Sequence, residues 1–175
     1  MMSPLGQGQL RLLLIEALKL ELRGKEFFLR AAETTNNELG RKMFQHLAKE
    51  EVHHLETFSR LFTEVLGTDD WKKEIAAEEL KENSAVIESL VSRMKGAAGK
   101  SDLEAISIGL ELEKKAIEHF GQAVAVCPDM KTKEIFERIV AEERFHYDLL
   151  QAQLDSLQNT GFWLDTSEFR MDGKY

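Results

Sequence analysis

Four stretches of the chain place apolar or small residues at alternating steps of three and four, the spacing that lines one face of a bundle helix. Across residues 9–35 the series reads Leu14, Ala17, Gly24, Phe28 and Ala31, and Glu21 takes the step between Ala17 and Gly24. A second helix, with Asn37 as its N-cap and Leu66 near its end, has Phe44, Leu47, Phe58, Leu61 and Val65 around Glu51 and His54. A third opens on Ser101-Asp102-Leu103-Glu104, the form of a capping box, and sets Ile106, Gly109, Ala116, Phe120 and Ala123 around Glu113. The fourth begins after Pro128-Asp129, runs to about Asn159, and sets Phe136, Ile139, Leu150 and Leu157 around Glu143 and His146. Each seam is thus interrupted at mid-length by ionisable groups, an expensive choice unless something satisfies them.

Gly67-Thr68-Asp69-Asp70 ends the second helix, and the stretch from there to Lys100 reads as a crossover with one or two short helices. Ile87, Leu90, Val91 and Met94 form its apolar side, and Gly96-Ala97-Ala98-Gly99 closes it as a loop. The pattern predicts an all-α four-helix bundle over residues 1–160 with one long crossover between helices 2 and 3. Residues 161–175 form a tail whose Phe162, Trp163, Leu164, Phe169 and Met171 are too apolar for a free solvated end. The tail is expected to cap the bundle or dock on a second subunit, with a homodimer as the expected assembly.

An internal repeat joins the four helices. Adding 92 to positions in the first half takes Glu21 to Glu113, Phe28 to Phe120, Glu51 to Glu143 and His54 to His146. Asn37 becomes Asp129, cap onto cap, and Gly24 and Ala31 become Ala116 and Ala123, which keeps small residues beside the carboxylates. Two copies of one helical hairpin packed about a pseudo-two-fold axis would bring the interrupted seams to one level. The repeat also fixes a register. Glu50 and His53 fit Glu-x-x-His as well, but 92 residues beyond His53 stands Phe145, so Glu51 with His54 is the pair retained. Glu50 and Glu142 then belong to the surface, or less simply to groups that orient His54 and His146. His46 and His119 lie off the seams and are left outside the site.

Charge and composition narrow the partners. A net charge of −8 without basic clusters argues against nucleic acid. Every apolar run is broken by Lys, Arg or Glu before it could span a bilayer. The start, Met1 to Gly6, lacks the features of a signal peptide, and a cytoplasmic location is expected. The single cysteine, Cys127, permits neither an intrachain disulfide nor an all-thiolate metal site.

Four Glu and two His directed into one core need counter-charge, and no Lys or Arg stands on the central steps of the seams. A buried salt-bridge network therefore lacks its basic half, and two divalent cations balance four carboxylates in formal charge. Oxygen-rich ligation with one imidazole per ion suits iron or manganese, with zinc as a further candidate.

One Glu on each of two helices and Glu-x-x-His on the other two is a constellation that resembles the ferritin-like di-iron carboxylate proteins, and among them the rubrerythrin-like group. The resemblance implies a ferritin-like bundle holding two iron ions. It makes Glu51 and Glu143 bridging ligands, Glu21 and Glu113 terminal carboxylates, and His54 and His146 terminal imidazoles. It further implies reduction of hydrogen peroxide or dioxygen at the metal pair, through which the six residues would act in catalysis. Three departures stand out. Ala116 occupies the position of a further ligating Glu, Phe28 and Phe120 stand where tyrosines are usual, and the cysteines of a rubredoxin-like site are missing, so electrons would come from another protein. Ferrous iron oxidation for storage or delivery and a static structural metal such as zinc are the competing expectations.

Overall fold

A computed structural model describes residues 4–75, 77–97 and 100–165 of the chain. Ala98 and Gly99 of the expected loop, and Phe169 and Met171 of the expected tail, lie outside the described residues. The elements are α1 (Pro4–Thr34), α2 (Glu38–Leu66), α3 (Trp71–Glu74), α4 (Ala77–Lys95), α5 (Ser101–Val126) and α6 (Met130–Thr160). The four long helices α1, α2, α5 and α6 are the expected bundle, and α3 with α4 forms the crossover. None of the helices described is long and apolar enough to cross a membrane.

The repeat survives into three dimensions. α5 ends 92 residues after α1, at Val126 against Thr34, and α6 starts 92 residues after α2, at Met130 against Glu38. The caps match as well. Asn37 accepts hydrogen bonds from the backbone N–H of Leu39 at 2.9 Å and Gly40 at 3.2 Å, and Asp129 accepts from that of Thr132 at 2.8 Å. Gly67 and Gly161 end α2 and α6 at φ of 71° and 75°, the left-handed geometry that lets a backbone N–H close on the last turn at no cost to a side chain.

Contact is extensive within each hairpin, α1 with α2 and α5 with α6. Across hairpins the backbones of α1 and α5 approach more closely than those of α2 and α6. The apolar core is split in two. One cluster takes Phe27, Phe28, Met43, Phe44, Leu47, Ile106, Ile108 and Leu150, and the other takes Leu14, Leu18, Phe58, Phe62, Phe120, Phe136 and Ile139. On every bundle helix the interrupting Glu or His falls between the residues given to one cluster and those given to the other. A polar layer therefore crosses the middle of the bundle. The crossover runs from one end to the other, since Trp71 and Ile75 join the second cluster and Ile87, Val91 and Met94 the first.

Three local expectations are corrected. α1 begins at Pro4, earlier than Gln9, because proline suits a first helical turn while the apolar period becomes legible only further along. The capping box at Ser101 does not form. Lys100 is the N-cap, the N–H of Glu104 bonds the Lys100 carbonyl at 3.0 Å, and the Glu104 carboxylate is held by Arg93. The crossover carries a single-turn helix and a 19-residue one, so it is not built from short helices alone.

The described part of the tail caps the bundle. Trp163 is buried edge-on to Phe44, 5.9 Å between ring centroids, and its Nε1–H reaches Asp102 at 3.3 Å. Gln153, wholly buried, grips the Leu164 backbone with both ends of its amide, each bond 2.9 Å long. Phe162 remains exposed.

Candidate metal centre

The six interrupting residues meet in the polar layer. Glu21 from α1, Glu51 and His54 from α2, Glu113 from α5, and Glu143 and His146 from α6 are each no more than 4% exposed. The spacing of three in Glu51-x-x-His54 and Glu143-x-x-His146 puts each carboxylate and imidazole on one helix face.

Their ligand atoms form two groups, each with every atom within 4.8 Å of the others: Glu21, Glu51, His54 and Glu143, and Glu51, Glu113, Glu143 and His146. Glu51 and Glu143 belong to both. Nδ1 of His54 lies 3.0 Å from Glu143 Oε1 and 3.3 Å from Glu21 Oε2, and Nδ1 of His146 lies 3.1 Å from Glu143 Oε2 and 3.7 Å from Glu113 Oε1. The rings are roughly parallel, with centroids 5.7 Å apart.

Few of these close approaches are hydrogen bonds, the one from Nδ1 of His146 to Glu143 Oε2 being an exception. Both oxygens of Glu21, Nδ1 of His54, Oε1 of Glu113 and Oε1 of Glu143 are buried without a hydrogen-bond partner. Orphaned buried groups of this kind are rare, and five such atoms converging on one spot are the donor set that a pair of cations satisfies. The backbone makes room for them. A Cβ on Gly24 would stand 2.6 Å from Glu51 Oε2, so glycine is what allows that carboxylate to lie against α1. Ala116, buried and without a donor atom, adds no seventh ligand.

The charges respond to the crowding. Burial raises Glu51 and Glu113 well above the usual carboxylate range, and neighbouring carboxylates push the same way: Glu21, Glu143 and Glu113 on Glu51, Glu143 and Glu21 on Glu113. Glu21 is also raised, by burial first and Glu143 second. Glu143 moves down. Burial works against that, but a hydrogen bond from Glu113 and the approach of both histidines outweigh it. For His54 burial lowers the pKa, and Glu142, Glu143 and Glu21 overcome it, pushing it up to about 12. Metal-free, the centre keeps protons on Glu51, Glu113 and His54 that cations must displace.

Glu142, expected at the surface with an orienting role as the alternative, takes that role on the other hairpin: its side chain is 45% exposed yet accepts a 2.8 Å hydrogen bond from Nε2 of His54. Nothing in α6 alone announces a partner 88 positions away. Gln153, by contrast, was findable, since it takes the step between Leu150 and Leu157. His46, off the seam, is exposed near Glu50 and His146, and partial desolvation of its ring is the main cause of its lowered pKa.

A family model described as Rubrerythrin matches residues 13–154, a span that includes all six residues. No curated protein and no solved structure matches the chain.

Proposed function

The chain belongs to the rubrerythrin family, and from that premise we propose a di-iron oxidoreductase that reduces hydrogen peroxide, or dioxygen, with electrons from a separate donor protein. The observation that carries the proposal is the pair of four-residue ligand groups sharing Glu51 and Glu143, with orphaned oxygens and an orphaned Nδ1 turned into them. Glu21, Glu51, His54 and Glu143 would hold one ion, and Glu51, Glu113, Glu143 and His146 the other. Manganese or zinc would fit the same donors. A bound ferrous pair would supply the two electrons that, with two protons, take one hydrogen peroxide to two waters.

The chain's own residues do the rest. Four carboxylates would lower the potential of a bound cationic pair by stabilising its more highly charged form, and Glu51 and Glu143, common to both ligand groups, would hold the two positions in register. Phe28 packs with Phe27 and Phe44 in one core cluster, and Phe120 with Phe58 and Phe136 in the other. These apolar layers restrict water, so charge at the centre is answered mainly by these ligands.

The test is anaerobic loading with ferrous iron followed by stoichiometric peroxide. The expected result is two irons per chain, ferric absorbance complete after one peroxide, and recovery of the ferrous state on adding a reductant. A loaded centre inert to peroxide and dioxygen would refute the redox reading, and a native preparation containing only zinc would favour a static structural metal.

A further inference from the structure

Glu142 braces the centre on one side only. Its Oε2 accepts from Nε2–H of His54 at 2.8 Å, and Arg138, one turn earlier in α6, stands 3.9 Å from its other oxygen. The repeat puts Glu50 at the matching place for His146, and His46 where Arg138 stands. Among the described residues, however, the ring of His146 meets carboxylates only through Nδ1, at Glu143 and Glu113. The pseudo-symmetry of the six ligands is broken one layer out.

The difference is chemical. A neutral imidazole has one N–H and one lone pair. Once His54 gives up a proton to a cation, the N–H that remains is committed to Glu142, which leaves the lone pair on Nδ1, the buried atom that faces Glu21 and Glu143. A carboxylate on the far nitrogen also fixes the ring and raises the basicity of the near one. At His146, among the described residues, no carboxylate holds Nε2, and Nδ1 is itself 3.1 Å from Glu143, so the neighbouring carboxylate favours the N–H on the nitrogen that faces the centre.

Resting on the two-metal reading above, we propose that the halves of the centre are unequal and fill in order. Glu142 is a positioning residue that makes the half built on His54 and Glu21 the tighter site for a divalent cation. The half built on His146 and Glu113 fills second.

The experiment is titration of the metal-stripped full chain with cobalt(II), followed by absorbance and by paramagnetically shifted proton resonances. The parent chain takes up two ions in separable steps. The first ion brings out one slowly exchanging N–H resonance, that of His54 Nε2 under Glu142. Glu142→Ala weakens the first step about 10- to 100-fold, so that the steps merge, and abolishes the resonance. Glu142→Gln, whose amide oxygen still accepts, restores the resonance, and Glu50→Ala changes neither step. Glu142→Ala also removes a hydrogen-bond partner of buried His54 and should lower thermal stability of the metal-free chain, whereas Glu142→Gln keeps the acceptor, so unfolding of both is measured alongside and titrations are run on folded protein. Two equal steps in the parent, an unaltered first step in Glu142→Ala, or the same loss from Glu50→Ala overturns the proposal while leaving a two-metal centre intact. No cobalt uptake by the parent overturns the two-metal reading as well.

Discussion

Gly24→Ala separates the needs of the centre from those of the fold. A Cβ at this position would lie 2.6 Å from Oε2 and 2.9 Å from Cδ of Glu51. Ordinary contact begins at 3.4 Å, so the carboxylate or the α1–α2 spacing must give by 3.4 − 2.6, about 0.8 Å. Metal–ligand distances tolerate about 0.2 Å, and Glu51 belongs to both ligand groups, so the shift disables both halves at once. The expected loss in affinity is about 100-fold or more, roughly 2.7 kcal/mol. Stability of the metal-free chain should move little. Overpacking costs about 1–3 kcal/mol, while alanine in a helix interior recovers about 1 kcal/mol over glycine. Gly121→Ala is the control, because a Cβ there meets nothing within 4 Å. It should gain the helix term and keep the metals. Isothermal titration with cobalt(II) or manganese(II), paired with thermal unfolding of the stripped proteins, reads both quantities. Gly24→Ala binding two ions with parental affinity would show that the close approach of Glu51 to α1 is not a condition of binding.

Other outcomes follow from the same geometry. Glu51→Ala or Glu143→Ala should abolish binding of the pair, and with it the rise in Tm on metal addition, about 4 kcal/mol or about 8–16 °C at a thousandfold excess over Kd; Glu50→Ala should retain it, and equal losses from all three would reject the register. The metal-free protein should lose stability as pH rises from about 5 to about 8, measured as Tm. Glu51, Glu113 and Glu21 have folded pKa values above 4.5, so their stabilising protons are fully present below that value and are lost above it, while His54 adds a loss between 6.5 and about 12. Each proton of difference is worth about 1.4 kcal/mol per pH unit, and the depressed Glu143 acts oppositely only below 4.5, so a flat or rising metal-free Tm would contradict the protonation assigned to the centre. Since the cations compete with those protons, metal affinity should rise over the same interval. Gly40→Ala puts a Cβ 2.7 Å from the Trp163 ring and should release the tail at about 1–3 kcal/mol, with red-shifted tryptophan emission as the sign; unshifted emission would mean the indole can be rehoused.

The sequence by itself determined the four bundle helices, the long crossover, the mid-length polar layer and the choice of Glu51 and His54 over Glu50 and His53. These depend on the helical period and on a repeat, and both are written along the chain. Helix ends were less legible. Ser101 carries the letters of a capping box, but the Lys100 carbonyl and Arg93 take the two ends of Glu104, so competition in space decided the cap. Tertiary structure alone decided how Glu142 reaches His54, why Gly24 is needed beneath Glu51, and where Trp163 closes the bundle over Gly40. Each joins residues far apart in the chain, on different helices or, for Trp163, on the tail beyond α6. Spacing within a helix sets the face a residue occupies, whereas the separation and rotation of neighbouring helices set which partner that face meets.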